Sequence, residues 1–135
     1  MRYMLLIYTK EDARAKMSPQ EMEKVKDGHR AVMDATARLG IFKGAEPLEP
    51  TSTATTIRKQ NGKTLTSDGP FAETKEQLGG YYILDCKDLD EAIHWASQIP
   101  VGCGGGEGCI EIRPLRELPM RTTAQDRQYA SALKG

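Results

Sequence analysis

Proton chemistry near neutral pH needs a group that titrates there, a partner that orients it and a charge that grips the substrate. In this chain His29 is the first such group. Val25, Lys26, Val32 and Met33 stand one helical turn away, so no carboxylate at those positions can orient the ring. An acidic partner has to come from elsewhere, and the stretch from Asp68 to Gly80, Asp-Gly-Pro-Phe-Ala-Glu-Thr-Lys-Glu-Gln-Leu-Gly-Gly, offers Asp68 and Glu73. A histidine held by a carboxylate among apolar groups titrates near neutrality and moves protons. The other reading of His29 is a core histidine that donates to a backbone carbonyl. Asp68 likewise has two readings: orienter of His29, or an Asx turn that fixes the bend at Gly69-Pro70. Glu73, Lys75 and Glu76 either line a pocket or form a solvated ion-pair cluster worth little.

A second group lies near the C-terminal end of the apolar pattern. Glu111 and Arg113 share one face of the last strand, and with Ile110 and Ile112 turned toward the helices they face an inter-sheet cavity. An arginine there can grip an anionic substrate group, or can pair with Glu111 to brace the fold. Tyr81 lines the same cavity or packs with a satisfied hydroxyl. Cys86, Cys103 and Cys109 show no Cys-x-x-Cys spacing and no histidine on their segment, which favours free thiols over a metal site. The glycine run from Gly102 to Gly108 follows a helix and opens a strand. Phosphate loops do the reverse, and Gly-Lys-Ser/Thr is missing, so that reading is rejected.

Elements to position these residues can be read in order. Met1 to Tyr8 is a continuous apolar run, expected as a strand buried on both faces. Ser18, Pro19 and Glu21 form a helix start, and Met22, Val25, His29, Val32, Met33 and Thr36 make one stripe that runs to Leu39 before Gly40 ends the helix. The segment from Ile41 to Pro50 reads as an irregular link broken by Pro47 and Pro50. Thr53 to Lys59 and Lys63 to Ser67 make a hairpin around Asn61-Gly62. Phe71 reads as a buried aromatic, and Gly79-Gly80 as a point where backbone or ligand comes close. A strand follows from Gly79 to Cys86, with Tyr81, Ile83 and Asp85 on one face and Tyr82, Leu84 and Cys86 on the other. Asp88 and Glu91 open a second helix with the stripe Leu89, Ala92, Ile93, Ala96 and Ile99, which Pro100 stops; Trp95 borders it and His94 is solvated. The last strand runs from Cys109 to Leu115.

This order is an α+β, ferredoxin-like split βαβ sandwich with an inserted hairpin, both helices on one face of an antiparallel sheet. The uncovered face is expected to be buried by a second copy, giving a homodimer in the form of a dimeric α+β barrel. The domain spans residues 1–118, and residues 119–135 form a polar tail in which Thr122 or Thr123 can cap a short helix. Nineteen basic and nineteen acidic residues cancel, which argues against a nucleic-acid partner. The longest apolar run, Tyr3 to Tyr8, is far short of the roughly 20 residues a membrane span needs. With no signal-peptide pattern either, a cytoplasmic location is expected.

The Asp68–Gly80 stretch resembles the signature of the YCII-related family in its DGPF subgroup. Agreement in order extends to Met1-Arg2-Tyr3-Met4-Leu5-Leu6-Ile7-Tyr8, Ala54-Thr55-Thr56-Ile57-Arg58, Leu89-Asp90-Glu91-Ala92-Ile93 and Ile110-Glu111-Ile112-Arg113-Pro114-Leu115. The resemblance implies two ferredoxin-like protomers packed sheet to sheet. It also implies a largely uncharacterised subgroup, often encoded beside extracytoplasmic-function sigma factors, with lyases, isomerases and monooxygenases among wider relatives. Some of those use a first-helix histidine with a loop aspartate as an acid–base pair, positions that match His29 and Asp68 here. Two functions follow as expectations. One is a cofactor-independent lyase or isomerase acting on a small organic molecule in the dimer cavity, with His29 as base, Asp68 as its orienter and Arg113, with Glu73, Lys75, Tyr81 and Glu111, binding substrate. The other is a non-catalytic small-molecule-binding or regulatory dimer linked to a sigma factor.

Overall fold

The computed structural model describes residues 1–101, 107–118 and 123–134. Its centre is a four-stranded antiparallel sheet built from β1 (Arg2–Thr9), β2 (Phe42–Pro47), β5 (Gln77–Asp85) and β6 (Gly108–Pro114), in the order β2-β5-β1-β6. Between them lie α1 (Glu11–Ala15), α2 (Pro19–Arg38), the hairpin β3 (Thr55–Gln60) and β4 (Lys63–Asp68), and α3 (Leu89–Ala96). A further helix, α4 (Thr123–Lys134), follows the sheet. The α+β class read from the pattern holds.

Alternation decides what each strand buries. Tyr3, Leu5 and Ile7 of β1 and Tyr82 and Leu84 of β5 project to one side and form the core with Val32 of α2, Ala92 of α3, and Cys86 and Ile99. Ile110 and Ile112 pair with Ile7 and Leu5 across the β1–β6 ladder and pack against the same cluster. The expected inward turn of these two isoleucines is therefore correct. On the opposite face stand Met4, Leu6, Tyr8, Tyr81, Ile83, Glu111 and Arg113. Within one chain β1 is buried on that side only to an intermediate degree, not on both faces as the continuous apolar run suggests.

Helix α2 starts as its residues dictate. The Ser18 hydroxyl accepts a hydrogen bond from the Glu21 amide at 3.1 Å, and Pro19 occupies the first helical position. Its end comes at Gly40, whose φ of +75° suits a residue without a Cβ. Thr36, a polar member of the stripe, is fully buried because its hydroxyl donates back to the Val32 carbonyl at 2.7 Å. Leu39, placed at the end of the stripe, is exposed. In α3 the Asp88 carboxylate caps the Glu91 amide at 2.9 Å. Ala92 and Ile99 of its predicted stripe are buried, but Leu89 and Ile93 are about half exposed at 50 % and 49 %. Trp95 is half-buried, and the exposed His94 meets it edge to face.

The segment from Ile41 to Pro50 is not merely an irregular link: Phe42–Pro47 is the edge strand β2, paired with β5 from Leu84 to Gly80. Gly44 and Pro47 hide it from a propensity reading, yet an edge strand tolerates both, and the register shifts between Phe42 and Gly44. Phe71 is not buried but 72 % exposed. Its bend is tied to the outside of the hairpin, where Thr56 Oγ1 donates to the Gly69 carbonyl at 2.8 Å and Arg58 donates to the Phe71 carbonyl at 2.8 Å. The hairpin itself is as expected, with Asn61 and Gly62 at φ +52° and +75° in its turn. It forms a separate two-stranded sheet.

Candidate functional site

Helix α2 buries Val32 and Thr36 toward its C-terminal end, while its face from Met22 to Met33 borders open space above the sheet. This space is a cavity of about 380 Å³, within the range of small-molecule sites. Ile7 and Tyr82 form its floor, Met22, Val25, His29 and Met33 its helical wall, and Arg14 and Met17 its α1 side. Pro100 closes one flank against Gly28, where an added Cβ would come within 2.5 Å of the proline ring. Beneath, Gly80 brings β5 against β2; a Cβ there would meet the Glu46 carbonyl at 2.9 Å. The expected close approach at Gly79-Gly80 is thus made by backbone.

His29 is half-buried in this wall, and its Nδ1 lies 2.6 Å from the Tyr82 hydroxyl, with the rings stacked at 18°. Burial and the nearby Arg14 guanidinium lower the histidine pKa from its ordinary value. Burial raises that of Tyr82 to about 12. At neutral pH both are uncharged, so the bond joins a phenol to a neutral imidazole. Tyr82 is only 2 % exposed, and among the described residues its hydroxyl bonds His29 alone. A buried hydroxyl proton needs an acceptor, and Nδ1 is the acceptor at hand. With Tyr82 donating, the ring proton resides on Nε2, the nitrogen left for a ligand.

The α1 side is held by hydrogen bonds from well outside the cavity. The Glu11 carboxylate accepts from the Thr51 amide and hydroxyl, both at 2.8 Å, and the Glu11 amide donates to Gln77 Oε1 at 3.0 Å. Gln77 in turn donates to the Thr74 carbonyl at 2.7 Å. Thr51, between β2 and β3, and Gln77, at the start of β5, therefore fix α1, and with it Arg14, from behind.

The residues singled out in the sequence fall into separate places. His29 lines the cavity. Asp68 does not reach it: it ends the β4 ladder opposite Thr55, exposed on the hairpin. Within this chain the partner of His29 is Tyr82 instead, because the ladder fixes Asp68 in a sheet of its own. Glu73 is exposed. Lys75 and Glu111 border a shallow hollow with Tyr8, Glu76, Cys109 and Ile110, and Arg113 pairs with Glu111 at 3.3 Å. Cys109 donates to Glu76 at 3.5 Å, and with both Glu76 and Glu111 near, its thiol pKa is raised, burial being the largest cause. Tyr81 shares the uncovered sheet face with Glu111 and Arg113. Cys86 and Cys109 are free thiols; Cys103 and the glycine run 102–106 lie outside the described residues. Tyr82 was legible in principle: it shares a strand face with Leu84, and His29 shares a helix face with Val32. Arg14 carried no such signal.

Fold and site together define a small α+β protein with one helix-covered sheet face and a histidine-bearing cavity between them. Residues 1–119 match the model of the YCII-related domain, and the chain belongs to that family. It is also similar to an uncharacterised protein of Rhizobium meliloti (strain 1021), with 39 % identity over 115 residues, 85 % of this chain and 92 % of the relative. Among the described residues no helix is long and apolar enough to cross a membrane.

Proposed function

We propose that the protein is a cofactor-independent acid–base enzyme of the lyase or isomerase kind, acting on a small carbonyl-bearing molecule in the cavity between α2 and the sheet. The 2.6 Å bond between His29 Nδ1 and Tyr82, on the wall of a largely apolar hollow, carries this reading. It fixes the ring and directs its remaining N–H toward a ligand oxygen. That donor stabilises the negative charge that builds on the oxygen when the adjacent C–H ionises, and the proton passes to water at the open mouth. His29 then acts as a hydrogen-bond donor to the developing oxyanion, Tyr82 as its orienter. The test is hydrogen exchange in D₂O with a panel of small ketones and oxo acids. The wild type is expected to label the carbon beside the carbonyl, and His29→Gln to slow this by about 10²-fold or more. Equal labelling by both, or none by either, would remove His29 from any such chemistry.

The finer architecture belongs to the same proposal. The strand order β2-β5-β1-β6, with β1 and β5 central, supports a ferredoxin-like protomer, and the run Asp68-Gly69-Pro70-Phe71 supports the DGPF subgroup. The apolar side chains Met4, Leu6, Tyr81 and Ile83, only partly buried on the uncovered face, support a homodimer of the α+β barrel type. Free thiols at Cys86 and Cys109 support a reducing, cytoplasmic setting. Sedimentation at micromolar concentration checks the dimer, and a stable monomer would overturn it.

A further inference from the structure

The charges around the cavity are one-sided, and this narrows the ligand. Arg14, Lys26 and Arg30 reach its lining. Arg30 is engaged by Asp27 at 3.0 Å, whereas Arg14 and Lys26 form no salt bridge among the described residues. Glu11, one turn before Arg14 on the same helix, is its natural intrahelical partner. Both Glu11 oxygens, however, are taken by the Thr51 amide and hydroxyl at 2.8 Å each. Glu46 also borders the cavity, but it pairs with Tyr81, so its side chain belongs to the opposite face of the sheet and only its backbone contributes here. Among the described residues no carboxylate side chain therefore lines the hollow. Two cations at the rim of an apolar pocket lower the energy of an anion there and disfavour a second cation.

We propose that the cavity takes a small amphipathic carboxylate, its charged end between Arg14 and Lys26 and its apolar body against Met22, Val25 and Met33. This rests on the site reading above and adds the substrate class to it: an oxo acid with an aromatic or aliphatic body, its carbonyl oxygen at His29. Bidentate contact from the guanidinium gives the carboxylate a direction. Gln77 and Thr51, which hold Glu11, keep Arg14 unneutralised for this purpose.

The test uses 3-benzoylpropanoate and its uncharged primary amide, with binding followed by calorimetry and by the NMR signals of His29 and Tyr82 in the full chain. The carboxylate is expected to bind about tenfold more tightly than the amide or better. Arg14→Gln and Lys26→Gln, both at exposed positions, should each erase most of that preference. Equal binding of acid and amide, with the His29 signals moved by both, overturns the carboxylate class and leaves the His29 site standing. No movement of His29 or Tyr82 with either compound overturns the site as well. Competition by inorganic phosphate as strong as by the organic acid also overturns the proposal, since it would mean a surface anion site that makes no use of the apolar wall.

Discussion

The two ends of α2 meet the same sheet and treat it differently. At the C-terminal end Val32 is buried in one cluster with Leu5, Leu84 and Ala92, and Thr36 is fully buried. At the N-terminal end Met22, Val25 and His29 face a hollow across from Ile7 and Tyr82. The difference lies in side-chain size and in what holds the helix. Ala92 and Thr36 let the elements close. At the other end Pro100 against Gly28 holds one flank, and α1, fastened through Glu11 to Thr51 and Gln77, takes a place that core side chains would otherwise fill. The packed end supplies stability, and the parted end can afford a histidine whose pKa burial has lowered.

Substitutions can break or sharpen this contrast. The largest effect is expected at the packed end, where Leu5→Ala should cost about 2–5 kcal/mol in denaturant unfolding. Val25→Leu at the parted end should stay within about 1 kcal/mol, because the extra methylene has a void to enter, and it should weaken ligand binding. Equal destabilisation by the two would mean that no real hollow exists. Next in size is Gly80→Ala, which forces a Cβ against the Glu46 carbonyl of β2 and should cost about 1–3 kcal/mol. Hydrogen exchange should report the loss first in the β2 amides. Ser18→Ala removes the α2 cap and should lower stability by about 1 kcal/mol, with Thr36 protection unchanged if the packed end folds independently of the cap.

The smallest effect is a pH dependence. His29 has a folded-state pKa below its ordinary value of 6.5, so on acidification the unfolded chain takes up a proton first. Stability should therefore fall as pH drops from about 6.5 toward the lowered pKa, and this part of the profile should vanish in His29→Gln. A wild-type profile identical to that of the variant across this window would place the ring in open solvent.

Much of the fold was open to a reading of residue types alone. Ser18-Pro19 and Asp88-Glu91 start helices through local hydrogen bonds, and Asn61-Gly62 turns a hairpin through its own backbone preference. Period-two alternation put Ile110 and Ile112 on the helix side. The edge strand β2 was hidden, since Gly44 and Pro47 lower its propensity and only pairing with β5 stabilises it. The site was half visible. His29 stands out by type, and residue types point to a carboxylate as its partner, but the side chain in contact is Tyr82, the neighbour of Tyr81 on the other face of the strand.

Local chemistry written along the chain thus determined where helices begin, where the hairpin turns and which strand residues share a side, because these depend on neighbours a few positions away. Tertiary structure alone decided that Tyr82 bonds His29, that Glu11 is occupied by Thr51 and leaves Arg14 without a salt bridge among the described residues, and that Asp68 stays out on the hairpin. Those outcomes depend on ladder register and on how far one end of a helix stands from a sheet, distances set by packing across residues far apart in the chain.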